Sequence, residues 1–399
     1  MTNKITRRSF GALALGSFGA LALAACGSSN TSGSSSSASA SATGKKVAPS
    51  ALPSGMGTTT VDGEFPRTVK HFRGETTIKS APSKVVILST GQLDGVLSLG
   101  VVPVGAATAG DADLVPTYLK TKFSDKSAEL DKIAKVGKRT DPDLEAIANL
   151  KPDLILINNT NKKDEVYESL AKIAPTVVTE GTGINWKQDF LLIAAALGTT
   201  EKAEKLMEEY NTKAKSVGQK AGTEKTFSFL YASADRTRIF AKSSFVGSIC
   251  VDASLARPAA AQVEKTSVDL SAEQLDQADA DYLFYGVQGG DESKLTKEAL
   301  WSTLKAVTEK HAHSVDPDMF FLNAGPAAAL GVLETIEKAL SAFLVSCRDS
   351  FSLEAPHLYL SRPAREGEEA GLSARSAPAF LPAGCTRDRN RCAPARNRV

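Results

Sequence analysis

Two short stretches of the chain repeat a pattern of acids. Asp143-Leu144-Glu145 is followed, eight residues after the Glu, by Asp153 and the apolar run Leu154 to Ile157; Ser271-Ala272-Glu273 is followed at the same distance by Asp281 and Tyr282 to Tyr285. Each unit reads as an N-cap residue, a Glu in the first helical turn and a strand entered through Asp. Glu145 and Glu273 therefore hold equivalent places in two halves of the chain. A first-turn Glu is also favoured by the helix dipole alone, by roughly 0.3–1 kcal/mol, so the pairing by itself assigns no chemistry.

Other reactive side chains are sparse. His311 and His313 alternate, which puts them on one face of a strand, but only His71 joins them in the body of the chain, fewer than a Zn or Mn site would want. Asp141-Pro142-Asp143 and Asp316-Pro317-Asp318 offer carboxylates in the setting of turns and caps. No Gly-rich phosphate loop, nucleophile elbow or His-Glu zinc motif is present, which disfavours an enzyme. Of five cysteines, Cys347, Cys385 and Cys392 fall in the last 55 residues, Cys26 follows an apolar N-terminal run, and Cys250 sits in the apolar stretch Phe245 to Val251 as a small hydrophobe. Neither a disulfide framework nor a zinc spacing emerges.

Residues 1–25 carry Lys4, Arg7 and Arg8, an uncharged apolar run from Gly11 to Ala25, and then Leu23-Ala24-Ala25 before Cys26. The run is short of the roughly 20 residues that span a bilayer. This stretch resembles bacterial lipoprotein signals, in which the cysteine takes a diacylglycerol before cleavage, and Thr6-Arg7-Arg8-Ser9-Phe10 resembles a twin-arginine export signal. The expectation is a signal peptide over 1–25, lipidation at Cys26, and a flexible Ser/Ala/Gly tether over 26–57 that is too poor in apolar residues to offset its ordering entropy. The mature chain would sit on the outer face of the cytoplasmic membrane.

The net charge of +2 misleads. Three cations in the signal, and nine Arg against six acids after Leu344, leave the body near −4, which disfavours nucleic acid as a partner. The segment 345–399 has nine Arg and no Lys, whereas the preceding 344 residues have eight Arg and thirty Lys, and it lacks periodicity. The shift suggests a frameshift near Leu344, or else a disordered Arg/Pro-rich tail.

Between residues 58 and 344 short apolar runs alternate with helical patterns, an α/β signature. Strands are expected at Val85–Leu88, Val101–Val104, Leu154–Ile157, Thr176–Val178, Thr226–Tyr231, Arg238–Ala241 and Asp281–Tyr285. Helices are expected at Leu93–Leu99, Glu165–Ile173, Ser271–Ala278, Leu295–Val307 and Gly325–Leu344. An apolar period near 3.6 runs from Trp186 to Val217, predicting a helix of about 45 Å with a possible break at Gly198.

The ordered set Gly74-Glu75-Thr76-Thr77-Ile78, Ala81-Pro82-Ser83-Lys84, Leu93-Asp94, Leu99-Gly100-Val101, Gly137-Lys138-Arg139, Leu150-Lys151-Pro152-Asp153, Ser244-Phe245-Val246-Gly247, Arg257-Pro258 and Gly325-Pro326 resembles the iron-siderophore substrate-binding proteins of ATP-driven importers. The resemblance covers about Gly74 to Leu344. Ser254 replaces a usual Gly, Asp143 replaces a usual Asn, and the last helix runs into the atypical tail. The resemblance implies two Rossmann-like lobes, 58–183 and 223–344, joined by a single long helix over 184–222, with a monomer holding its ligand between the lobes.

It further implies that Glu145 and Glu273 meet arginines of a membrane permease, where two carboxylates would set the register of a two-lobed carrier. A ferric siderophore brings its own oxygen donors, so the protein would need no cofactor and no metal ligands, only aromatic faces and cations. By position the candidates are Arg139, Trp186, Tyr231, Arg236, Tyr285 and Phe320. The bland readings are Trp186 as an anchor of the long helix, Tyr231 and Tyr285 as core edges, and Arg236 or Arg238 as solvated charges; Phe245 and Arg257 read as structural. Haem or cobalamin is the nearer alternative ligand, bare Zn or Mn the more distant one.

Overall fold

The computed structural model describes residues 48–109, 112–160 and 164–351, with side chains to residue 341. The signal peptide, Cys26, the first part of the tether and the tail after Phe351 lie outside the described residues. The end of the expected tether does not: Gly57 exchanges backbone hydrogen bonds with Lys70 at 2.8 and 2.9 Å, and Leu52 packs against the core.

The first lobe opens with an antiparallel hairpin, β1 (Arg67–His71) and β2 (Gly74–Ile78). There follow β3 (Val85–Ile87), α1 (Gln92–Ser98), β4 (Gly105–Thr108), α2 (Thr117–Lys122), α3 (Ser127–Leu130), β5 (Ala134–Lys138), β6 (Asp141–Pro142), α4 (Leu144–Asn149), β7 (Leu154–Asn158), α5 (Asp164–Ile173) and β8 (Thr176–Thr179). Their sheet has the order β6-β5-β4-β3-β7-β8 and is parallel except for the edge pair β5 and β6. Every residue of β7 and β8 is buried, as parallel strands covered on both faces must be. The strand expected at Val101–Val104 starts instead at Gly105. Val101 N–H bonds back to Val96 O in the turn that closes α1 (2.9 Å), and Pro103 has no N–H to give a ladder.

The link between lobes is two helices, α6 (Trp186–Leu197) and α7 (Thr200–Ala221), rather than one, with the break at Gly198. Gly198 is left-handed (φ 72°, ψ 40°), and a Cβ there would lie 2.9 Å from Cζ of Arg67. That buried arginine donates to Ala195 O (2.8 Å), Val61 O (2.6 Å) and Glu64 O (3.1 Å). Asp62 caps the new helix by accepting from Thr200 Oγ1 and Glu201 N, both at 2.8 Å. The N-terminal segment thus holds the break in place.

The second lobe contains β9 (Phe227–Ala232), β10 (Thr237–Phe240), α8 (Phe245–Asp252), β11 (Ser267–Leu270), a 3-10 helix Ala272–Ala278, β12 (Tyr282–Val287), α9 (Ser293–Thr296), α10 (Lys305–Thr308), β13 (Ala312–Ser314) and α11 (Pro326–Phe351). Its sheet runs β11-β10-β9-β12-β13, with β9, β12 and β13 parallel. The single helix expected over Leu295–Val307 is broken into short pieces. Leu304 is extended (φ −62°, ψ 136°), and the carboxylate of Asp279 caps α10 through Lys305 N (2.8 Å) and Ala306 N (3.2 Å). Stacked cross-strand pairs Phe227–Tyr282 and Phe229–Phe284 tie the two central strands at 5.3 and 5.4 Å. Arg257 pins carbonyls of Phe227 (2.8 Å) and Phe240 (2.6 Å) and is structural, and Cys250 is buried.

Candidate functional site

In both lobes the parallel strands end toward one cleft, the place where open α/β sheets present ligand-binding loops. Its cavity measures about 780 Å³, within the range of small-molecule sites. The first lobe contributes the ends of β3 and β4, Asp113 on the loop before α2, and Arg139 after β5; the second contributes Tyr231 on β9, the Gln288–Gly290 turn after β12, and Asp318.

Arg139 is fixed through its backbone, whose N–H bonds to Thr108 O at 3.0 Å. Burial holds its guanidinium below the usual arginine range, and among the described residues it makes no hydrogen bond or ion pair. Tyr231 is 2 % exposed, with its ring against Phe321 (5.4 Å) and edge-on to Phe240 (6.3 Å). Its hydroxyl is pushed up by burial, drawn down by Arg238 and pushed up again by Asp318. Arg238, paired in register with Tyr231, lies 5.2 Å from that ring, and its buried Nε has no partner among the described residues. A cationic and aromatic wall is thus ready-made.

Of the six residues expected to touch ligand, the structure brings only Arg139 and Tyr231 to this cavity. Trp186 is 3 % exposed and donates its indole N–H to Ser248 Oγ (3.1 Å), with Tyr210 and Phe245 edge-on at 5.0 and 5.7 Å. It lines a smaller pocket of about 20 Å³, room for about one water, which shares Thr90 and Gly91 with the larger cavity; it anchors α6 to α8. Arg236 stands exposed at the β9–β10 turn in a bidentate pair with Asp269 (2.8 and 2.9 Å). Tyr285 lies on the other face of the sheet, edge-on to Trp301 (4.9 Å) and bonded to Glu292 Oε2 (3.0 Å). The two-residue period of β12 excludes it from the face that Tyr231 shares. Phe320 is fully buried among Phe229, Phe284 and Phe321.

Sequence reasoning missed Asp113 and the Gln288–Gly290 turn, and read Asp318 as a turn residue and Arg238, which backs the Tyr231 ring, as a solvated charge. Two signals were present: Arg238 lies on the strand that hairpins with the one carrying Tyr231, and a Gly-Gly pair directly follows a parallel strand.

Glu145 and Glu273 are both exposed. Glu145 lies in the first turn of α4, which Asp143 caps by accepting from Ala146 N (2.9 Å). Glu273 lies in the first turn of the 3-10 helix, where hydrogen bonds from its own backbone and from Ser271 hold its carboxyl below the usual range. β11 runs antiparallel to β10 and β10 antiparallel to β9, so β11 ends on the same side as β9. Glu273 therefore follows an edge strand on the cleft side, whereas Glu145 follows β6, an edge strand that runs antiparallel to β5 and so heads away from that side. His311 and His313 stack along Tyr282 and Phe284 at 4.6 and 5.4 Å. Among the described residues no group of three or more His, Cys, Asp and Glu converges as a metal site would need.

A family model described as periplasmic binding protein matches residues 85–319, more than half of the chain. The chain belongs to the periplasmic binding protein family. This periplasmic binding protein is 34 % identical over 290 residues to "Probable siderophore-binding lipoprotein YfiY" of Bacillus subtilis (strain 168), covering 68 % of the present chain and 86 % of that one. It is 28 % identical to the iron(3+)-hydroxamate-binding protein FhuD of the same organism, over 69 % of this chain and 86 % of that one. Among solved structures, Staphylococcus aureus SirA complexed with staphyloferrin B superposes with a TM-score of 0.59 at 29 % identity, over 69 % of this periplasmic binding protein and 98 % of SirA. Among the described residues no helix is long and apolar enough to cross a membrane.

Proposed function

We propose that this chain is the substrate-binding lipoprotein of an ATP-driven importer, that it captures a ferric siderophore between its two lobes, and that it acts as a monomer tethered through lipid on Cys26 to the outer face of the cytoplasmic membrane. The observation that carries the reading is the cavity of about 780 Å³, with a half-buried Arg139 whose guanidinium has no partner among the described residues on one wall and the Tyr231 ring on the other. Hydrogen-bond donors and an aromatic face suit the outer surface of a chelate whose iron is already satisfied by hard oxygen donors. Similarity to proteins named for siderophore and iron(3+)-hydroxamate binding supports the same ligand class. Glu145 and Glu273, each exposed in the first turn of a helix, one in either lobe, are the permease-docking residues, each pairing with a guanidinium across the interface.

The test is a fluorescence titration of the mature chain against ferric siderophores, haem, cobalamin and free ferric salt. Saturable quenching by at least one ferric siderophore, with none by free iron, is expected. Saturation by haem or cobalamin alone would replace the reading.

A further inference from the structure

Arg238 is left uncommitted beside the cleft. It stands in register with Tyr231 across the β9–β10 ladder, so the two side chains share a face of the sheet. Its guanidinium lies 5.2 Å from the centre of the Tyr231 ring and 5.6 Å from that of Phe240. Phe240 is edge-on to Tyr231, and Phe321 packs on both rings, at 5.4 Å from Tyr231 and 4.9 Å from Phe240. Asp269, in register with Arg238 on the other ladder, is held by Arg236 in an exposed pair. Among the described residues the half-buried Arg238 side chain makes no hydrogen bond and no ion pair, and its Nε is buried.

A buried donor without a partner costs free energy, and an apolar chain of the same length over the same rings would avoid that cost. Stability therefore does not account for a charge at this place. What the charge acts on is a phenol. Tyr231 lines the cavity, and its hydroxyl makes no hydrogen bond among the described residues. Burial raises that hydroxyl, Arg238 draws it down and Asp318 raises it again. The cation thus opposes burial, and a phenol drawn down is the stronger donor. Arg238 does not itself line the cavity, so its effect on a ligand passes through the ring in front of it. Arg238, Phe240 and Phe321 together fix that ring, which leaves little to order when a ligand arrives.

Resting on the siderophore reading, we propose that Arg238 is a positioning residue of the binding site: without touching the ligand, its guanidinium holds the Tyr231 ring from behind and strengthens the hydroxyl of that ring as a donor to the ligand's oxygen atoms.

The test is isothermal titration of the mature chain with a ferric trihydroxamate, a ferric tris-catecholate and ferric citrate, the tightest of the three being carried through the variants. Arg238→Met keeps an unbranched chain over the rings and removes the charge. It is expected to weaken binding by roughly tenfold while the urea midpoint stays level or rises. Arg238→Lys keeps a cation and is expected to stay within about threefold of the parent. Tyr231→Phe keeps the ring and loses the hydroxyl, and in that background Arg238→Met is expected to change affinity by less than about twofold, because the group it acts through is gone. A loss that persists undiminished in the Tyr231→Phe background overturns the inference, since Arg238 would then act on the ligand directly or on the fold. So does parent affinity in Arg238→Met, a urea midpoint that falls in step with affinity, or Arg238→Lys binding no tighter than Arg238→Met. Each of these leaves the siderophore reading standing. Failure of all three complexes to bind the parent overturns both.

Discussion

Asp94, fully buried on α1, reaches Ala327 233 residues along the chain and accepts its backbone N–H at 2.9 Å. The same carboxylate takes the N–H of Ala328 at 2.9 Å, the hydroxyl of Tyr118 at 3.1 Å and that of Ser98 at 3.3 Å. The first two donors are orphan groups at the start of α11, so a carboxyl from the first helix caps the last; burial pushes that carboxyl above its usual range, and the four donors draw it down. Asp94→Ala strands these donors in the interior and is expected to lower unfolding stability by about 2–4 kcal/mol. A urea midpoint within error of the parent would show that water replaces the carboxylate.

Arg139 is the cation whose removal the cleft should feel most. Arg139→Ala is expected to weaken ferric siderophore binding by roughly ten- to a hundredfold, the worth of a lost charge-assisted hydrogen bond. Arg236→Ala, which breaks only an exposed pair with Asp269, should leave affinity as it is. Equal effects of the two changes in a calorimetric titration would mean that the cleft does not hold the ligand.

Trp186 separates anchoring from binding. Trp186→Phe keeps most of the ring contacts with Tyr210 and Phe245 but loses the bond to Ser248 Oγ. A stability loss of about 1–2 kcal/mol is expected from that buried hydrogen bond, with affinity little changed. An affinity loss as large as that of Arg139→Ala would return Trp186 to the binding site.

Buried His71 and half-buried Asp189 give opposite pH dependences. Burial pushes His71 down to about 4 from 6.5. Its Nδ1 accepts from Arg73 N (3.1 Å), which leaves the proton on Nε2, facing Thr76 Oγ1 (2.9 Å). The unfolded chain protonates first on acidification, so this contribution is lost as pH falls from 6.5 to about 4. Asp189 is the reverse case. Burial pushes it from 3.8 up to about 7, against the N–H groups of Glu180 and Gly181 that bond to it. The native state then holds the extra proton, and stability falls as pH rises from 3.8 to about 7. Relative to the parent, His71→Gln should make stability decline more steeply with rising pH between 4 and 6.5, and Asp189→Asn should do the opposite. Denaturant midpoints across that range measure both slopes, and a matching shift in the two variants would sink the assignment.

For the paired glutamates the readout is transport. Glu145→Ala combined with Glu273→Ala removes two exposed carboxylates that touch nothing in the cavity, so ligand affinity should persist while uptake by cells carrying the importer falls by roughly tenfold or more. Undiminished uptake would remove the docking role.

Much of this molecule could be read along the chain, because period and punctuation are local. The buried run Leu154 to Ile157, the helix Asp164–Ile173 and the left-handed break at Gly198 follow from residue type and spacing. The lipoprotein-like signal ending at Cys26 is equally a matter of neighbouring residues. Local pattern failed where a distant group intervened. Asp279 reaches 26 residues ahead to cap α10 and helps cut a predicted helix into pieces.

The binding site was the least legible part. Arg139, Trp186, Tyr231, Arg236, Tyr285 and Phe320 have the right side chains for a chelate, and composition cannot rank them. Only the tertiary structure decides that Tyr285 turns to the opposite face of the sheet, that Trp186 spends its N–H on Ser248 and Arg236 its charge on Asp269, and that Arg139 and Tyr231 are left facing a cavity. The sequence by itself determined many of the strands and helices and several of the side chains that could serve. Which of them are left without a protein partner depends on how two sheets, far apart in the chain, pack around a common cleft, because a hydrogen bond or a charge pair is settled by distance in space and not by spacing along the backbone.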